Sequence, residues 1–337
     1  KPPIEVPQGA IRLNTDSQRL EFYAQDQWYE FAIAHQTAKS GSCRGVLTGR
    51  YTPTNLNTID YVNITTAGNA TDFGDQTQSR SHCCTGSSTT RGLIMGGQTP
   101  TKKDRIDFIT IASAGDAIDF GNLTQSITQA TGASNHVRAV RYAGQTPSNI
   151  NVIDFGEIDF PSDFVDFGDA RAGTAVAAGC ESNTRAVFVG GEGALTDMGH
   201  IIFASLGDEV SFGDILGNSG GSLRYGRGAS NGVRGLVMGG LNPSPNKTNE
   251  IMQLDITSLG NAYHFGDLVV AGTGERNVGG TTSNKIRAIY AGGDDGTNEI
   301  ATVEYVSFAT MGNSSDFGEL TQAGGGINGL SDGHGGL

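Results

Sequence analysis

Short runs that alternate apolar and polar residues recur along the chain, separated by clusters of Gly, Thr, Ser, Asn and Asp. Segments such as "IDYVNI" (59–64) and "IDFITI" (106–111) have a period of two and predict half-buried strands. A second kind of run begins with an arginine and ends in glycine. Examples are "RGLIMGG" (91–97), "RAVFVGG" (185–191), "RGLVMGG" (234–240) and "RAIYAGG" (287–293), each predicting a strand that leads into a turn.

These runs repeat. The phrase "TDFGD" at 71–75 returns as "IDFGN" (118–122), "VDFGD" (165–169), "SFGD" (211–214), "HFGD" (264–267) and "DFGE" (316–319). An Asp-Phe-Gly triplet also occurs in protein kinases, but there it stands once, beside a glycine-rich nucleotide loop and a His-Arg-Asp loop, and neither is present here. Six copies point instead to a repeated unit. Its phenylalanines are Phe73, Phe120, Phe167, Phe212, Phe265 and Phe317, spaced by 47, 47, 45, 53 and 52 residues. Its arginines are Arg44, Arg91, Arg138, Arg185, Arg234 and Arg287.

Each unit reads as four short strands, lettered A to D in chain order. A resembles "SITQATGAS" (126–134), B is the Arg run, C is the alternating segment and D enters the Phe-Gly pair. Four-stranded units of about 50 residues, with Gly-Gly after an apolar strand, predict an all-β, six-bladed, kelch-like β-propeller, whose blades bury their faces only by stacking. The first unit lacks A, and the tail "LTQAGGGINGLSDGHGG" (320–336) matches "LTQSITQATGASNHVRA" (123–139). The C-terminal strand is therefore expected to close the ring and to remove two open sheet edges. The expected division is a small three-stranded β module over 1–38 and the propeller over 39–337.

In this frame Phe is expected to fill the space between blades and Gly to permit close approach or a positive φ. The Asp, Asn or Glu that follows would hydrogen-bond the turn backbone. The alternative is calcium held by Asp72, Asp75, Asp119, Asp166, Asp169, Asp214 and Asp267, a pattern that Ser211 and His264 interrupt. The six arginines are expected to pair with acids such as Asp60, Asp107, Asp154 and Glu304 of strand C. From the start of C to the FG phenylalanine the distance is 14 residues in every unit, whereas the B–C and D–A connections vary in length. Both variable connections fall on one face of a propeller, which becomes the expected binding face. Its candidates are Lys102 and Lys103 in "QTPTKKD", Arg224 and Tyr225 in "SLRYGR", Asn242, Asn246 and Lys247 in "LNPSPNKTN", and Asp294, Asp295 and Asn298 in "DDGTN". Drift in exposed loops is the bland reading of the same variation.

Composition narrows the chemistry. With 51 Gly and 36 % apolar residues in 337, the chain is too glycine-rich for a helical protein and too patterned for disorder. A formal charge of −13 with only 22 Lys and Arg argues against nucleic acid or an anionic membrane as partner. There is no apolar stretch long enough for insertion into a bilayer, and the opening "KPPIEVPQGA" has no signal-peptide pattern. The six histidines form no metal pattern, and Cys43, Cys83, Cys84 and Cys180 form no CxxC. Neither a GxSxG nor a nucleotide loop occurs, so no cofactor and no enzymatic activity are expected.

Ahead of the repeats, "GAIRLNTDSQRLEFYAQDQWYEFAI" (9–33) reads as three strands with turns at "NTDSQ" and "AQDQ". A piece this short needs a partner surface, and Tyr23, Trp28 and Phe31 are its candidates for attachment or oligomerisation. Gly9 to Asp16, Leu20 to Tyr23 and Trp28 resemble a short module of tailed-bacteriophage structural proteins. The phrases "IDYVNITTAGNATDFGD" and "STTRGLIMGG" likewise resemble kelch-like arrays of phage fibre and virion proteins, especially those of large marine or cyanobacterial phages. "DMGHIIF" (197–203) and "IMQLDI" (251–256) depart from the pattern by lacking the strand C acid. The resemblance implies a virion structural protein, a tail or capsid-attached fibre that forms a homotrimer, contacts other virion proteins and binds a host-surface glycan or protein. A structural neck or decoration protein is the alternative, and a glycan depolymerase the third reading.

Overall fold

A computed structural model describes residues 6–14, 19–30, 43–193, 196–216, 223–242, 246–270 and 275–337. The chain divides into two compact units, Lys1–Ser40 and Gly41–Leu337. In the first, strands Ile11–Asn14, Arg19–Ala24 and Gln27–Glu30 form an antiparallel meander. Its "AQDQ" turn places Gln25 and Asp26 at positive φ, and Tyr23 faces Trp28 across the hairpin with ring centroids 5.2 Å apart. The guanidinium of Arg12 lies 4.0 Å from the Trp28 ring. Phe31 and the "NTDSQ" turn after Asn14 lie outside the described residues.

The second unit consists of six four-stranded antiparallel blades, each in the order A-B-C-D. Blade one combines Asn328–Ser331 as A with Arg44–Thr48, Thr58–Asn63 and Thr71–Asp75 as B, C and D. The closing strand is thus the last of the chain, as the truncated tail repeat predicted. The other A strands are Cys84–Ser87, Thr131–Ser134, Ala178–Glu181, Arg227–Ser230 and Gly280–Ser283. All six surround one axis, each packed beside the next, and the sixth reaches the first through the closing strand.

The FG phenylalanines explain why the phrase repeats. In blade one Ile59 pairs with Gly74 and Asp60 with Asp72, so Phe73 is left over as a β-bulge. The same shift skips Phe120, Phe167, Phe212, Phe265 and Phe317. Freed from the ladder, each ring is driven into the space between blades, where all six are buried. Five of them meet a C-strand ring edge-on, for example Tyr61 against Phe73 with centroids 6.0 Å apart.

The glycine after each phenylalanine is required by the neighbouring blade. A Cβ on Gly121 would lie 2.4 Å from the Ser162 carbonyl oxygen, and one on Gly266 would lie 2.0 Å from that of Gly312. Both oxygens belong to C–D turns of the next blade. That turn also explains the constant 14-residue distance, because its Asp or Asn caps the strand it touches. Asp116 accepts from the N–H of Asp75, and Asp163, Asp208, Asn261, Asn313 and Asn69 accept from Asn122, Asp169, Asp214, Asp267 and Glu319. The expected roles are therefore exchanged. The residue after Gly contributes its main-chain N–H, and the capping side chain comes from the next blade.

The six repeat arginines pair differently from the expectation too. Each donates Nη1 to the carbonyl just past strand C of the following blade: Arg44 to Ile111, Arg91 to Ile158, Arg138 to Phe203, Arg185 to Ile256, Arg234 to Phe308 and Arg287 to Ile64. They also lie over aromatic rings of their own blade, as Arg44 does over Tyr61 at 4.4 Å. The strand C acids take another set of partners, with Asp60 bound to Arg50, Asp107 to Arg80, Asp154 to Arg141 and Glu304 to Arg276, every member essentially inaccessible to solvent. Thr321, Thr77 and Thr124 of the preceding blades donate their hydroxyls to the first three acids. Burial selects these arginines, since a buried carboxylate needs charge and several donors at once.

Candidate functional site

The B–C loops lie on the face expected for binding, and together with the D–A connection before blade five, whose Arg224 pairs by main chain with Leu241, they are stapled into a continuous girdle. Asn55 of blade one donates to the Gln98 carbonyl of blade two at 2.9 Å. Lys102 reaches Gln145 of blade three at 3.4 Å, and Asn149 there reaches Glu192 of blade four at 3.2 Å. Glu192 also takes Arg224 of blade five at 2.9 Å, while Lys247 pairs with Asp294 of blade six at 2.7 Å. Glu299 accepts from Thr52 at 3.4 Å and closes the circle.

This girdle decides the fate of the sequence candidates. Lys102, Arg224, Lys247 and Asp294 face neighbouring loops and hold them. Lys103 is half-buried, and its N–H is bound to the Gly97 carbonyl. Asp295 caps its own turn by accepting from Thr297 and Asn298, and those N–H groups hold its carboxyl below the usual range. Asn242 is buried, whereas Asn246 and Asn298 stay exposed. Residues 243–245 lie outside the described residues. Tyr225 turns toward the axis region, where its hydroxyl accepts from Gln129 at 3.2 Å.

Near the axis the chain takes a repeated strained conformation. His82, Gln129, Val176, Tyr225, Val278 and Gly326 each stand five residues before the last residue of an A strand, and all have positive φ, from 50° to 67°. Val176 and Val278 are β-branched residues in this region, which favours glycine. Neighbours in this ring are joined by the main chain, with His82 donating to Gly326, Gln129 to His82, Val176 to Gln129 and Tyr225 to Val176. Burial, and next the charge of Arg227, push the His82 imidazole down to about 4.

A cleft of about 290 Å³ lies between blades three and four, lined by Tyr142, Arg171, Asp197 and Glu209 among others. Arg171 bonds Asp197 at 2.5 Å and lies 3.9 Å from Glu209, whose carboxyl accepts from the Tyr142 hydroxyl at 3.0 Å. Burial raises the pKa of Glu209 and also that of Tyr142. Two acids in one cleft are what glycoside hydrolysis would need. Glu209, however, fills the position that Asp60, Asp107 and Asp154 fill in other blades, which gives it a packing role. Among the described residues no group of three or more His, Cys, Asp or Glu side chains could hold a metal ion, so the calcium alternative has no cluster to rest on.

The opposite face, built from A–B and C–D turns, carries what sequence reasoning missed. Phe160, Leu206, Leu259 and Met311 project from the C–D turns of blades three to six with 58–68 % of their surface exposed. Val165, Val210 and Tyr263 at the starts of strand D, and Val137, Val233 and Ile286 in the A–B turns, are exposed on the same side. The signal was present as an apolar residue six places before the FG phenylalanine in three successive units, Leu206, Leu259 and Met311, with Phe160 one place earlier in the unit before them. Neither a protein-family model nor a curated protein sequence matches the chain.

Proposed function

We propose that the protein is a virion component of a tailed bacteriophage, a tail or capsid-attached fibre whose propeller binds a host-surface glycan or protein without catalysis. The observation that carries this reading is the girdle. Six loops of unequal length are held by polar contacts to their neighbours, which leaves a preorganised surface whose exposed groups are amides such as Asn246 and Asn298. Preorganised polar loops lose little entropy on binding. The resemblance of the N-terminal strands and of the repeat phrase to phage proteins supplies the biological setting, including the trimer.

A glycan array and a pull-down of host envelope material with the purified chain test the reading. Binding is expected, and Asn298→Ala together with shortening of the 241–249 loop is expected to weaken it. No binding to any host envelope component would favour a second reading, a neck or decoration protein that bridges virion parts. The exposed apolar side chains of the turn face support that second reading, because apolar residues gathered on one face commonly mark a protein contact. Ser in place of Phe160 and Leu206 would then abolish incorporation into particles and leave glycan binding unaffected.

A further inference from the structure

The six A strands enclose an axial cavity of about 70 Å³. On the measure by which a single water needs roughly 10–15 Å³, this is room for a molecule of four or five heavy atoms. Thr85, Gly132, Gly179, Gly228, Thr281 and Gly329 form its middle tier. The glycines there bring the strands together, since a Cβ on Gly228 would lie 1.9 Å from the Gly179 carbonyl oxygen. The space is therefore narrow and its wall is largely main chain.

Two side chains in this wall carry donors with no acceptor among the described residues. Arg227 opens the A strand of blade five, and its one side-chain hydrogen bond among the described residues runs from Nε to the Gly279 carbonyl at 2.6 Å. Neither Asp nor Glu forms an ion pair with it among the described residues. Asn328 opens the A strand of blade one, and its buried Nδ2 has no hydrogen-bond partner among the described residues. Both residues line the same cavity. The acid that shares the cavity, Glu181, ends its own strand and is bound to His334 Nδ1 at 3.0 Å. First and last residues of these strands are separated by roughly 10 Å along the axis, so Glu181 belongs to the other end.

Arg227 is half-buried in this wall with no counter-charge, and a guanidinium drawn partly out of water in this way is not repaid by a hydrogen bond to one carbonyl. An oxyanion in the cavity would supply that charge and accept from both residues. We propose that the axial cavity binds a small oxyanion, a carboxylate or phosphate group, through Arg227 and Asn328. The inference is independent of the receptor reading, which concerns the loops. Burial lowers the pKa of Arg227, as expected for a cation lacking its counter-ion, and its charge reaches His82.

Titration calorimetry of the full chain with sodium phosphate and with sodium acetate, at fixed ionic strength in chloride, tests this. One saturable site is expected for at least one anion. Arg227→Met should weaken it by at least about tenfold, the loss of one charge-assisted contact, and Asn328→Ala should weaken it less. No saturable binding of either anion, or equal affinity in Arg227→Met, would overturn the proposal. Should that variant fail to fold, the wild-type His82 titration decides the matter. An anion beside Arg227 offsets its charge and raises the His82 pKa above its value in chloride, and a pKa indifferent to phosphate and acetate excludes the site.

Discussion

Gly199 and Glu209 occupy one space: a Cβ on Gly199 would lie 1.5 Å from Glu209 Oε1. Gly199 stands where blades one to three carry Asp60, Asp107 and Asp154. The fourth blade has moved its acid from strand C to the C–D turn and emptied the strand position to receive it. Gly199→Asp alone should destabilise the fold by about 1–3 kcal/mol through overpacking. Glu209→Ala should cost about 1–3 kcal/mol by leaving the Arg171 N–H and Tyr142 hydroxyl without an acceptor. The double variant restores the arrangement of the other blades, so its loss should fall below the sum of the two by more than about 1 kcal/mol in a denaturation cycle.

The inter-blade arginines make a second test. Arg91 donates to both the Ile158 and Asp159 carbonyls, at 2.9 and 2.8 Å, and lies over Phe108. Arg91→Met is expected to lower stability by about 1.5–3 kcal/mol. Arg91→Lys should recover only part of this, because an ammonium cannot serve two carbonyls and stack on a ring together. Shifts of the urea midpoint at constant slope would measure both.

The FG glycines should be intolerant for reasons of space as well as backbone. Gly121→Ala puts a methyl group 2.4 Å from the Ser162 carbonyl oxygen, so the blades must part. A loss above about 2 kcal/mol is expected. Gly115, also at a positive φ but with nothing within 4 Å of its Cβ position, is the control. Gly115→Ala should cost only backbone strain, about 1 kcal/mol. Equal losses in thermal denaturation would remove the close approach as the cause.

His82 gives the fold a pH dependence of definite sign. Its imidazole titrates near 6.5 when unfolded and is pushed down to about 4 in the fold. A lowered folded pKa means that the contribution is present above 6.5 and is lost as the pH falls toward 4. Glu209, raised by burial, acts in the opposite sense, its contribution being lost as the pH rises through its folded pKa. His82→Asn keeps a residue that tolerates positive φ and removes the titration. The fall in stability between about pH 6.5 and 4 should be shallower in that variant, and an unchanged slope would acquit His82.

Six blades and their closure were legible in the sequence because each blade repeats one packing problem. Phe73 and its five counterparts fill the same gap, and residues 320–336 match an A segment that blade one lacks. Pairing between residues was less legible. Arg44 and Arg50 both precede Asp60, and only the solid shape shows that Arg44 leaves for the next blade while Arg50 stays. Arg50 and Arg141 reach equivalent acids from different places in their repeats, while Arg80 and Arg276 share one, eleven residues before the repeat arginine of their blade, so aligning the units shows only that pair. The capping Asp116 and Asn313 did recur at a fixed offset, but their partners lie in another blade. On the loop face, variable length marked where contacts differ and gave no sign that Lys247 and Asp294 would use each other. Arg227 carries no signal at all, because a single arginine among small residues becomes notable only once five other strands surround it.

Blade one is assembled from the two extremes of the repeat array, and synthesis makes them at very different times. Arg44–Thr48 leaves the ribosome with its inner edge bare, and the strand that covers it, Asn328–Ser331, is translated after every other blade. Until then the nascent protein displays an unpaired edge of apolar sequence, which invites joining to a sister chain. A chain shortened by as little as that last strand would hold five complete sheets and one sticky one. The appearance of Asn328–Ser331, and not that of any earlier blade, is therefore the event that shuts the wheel.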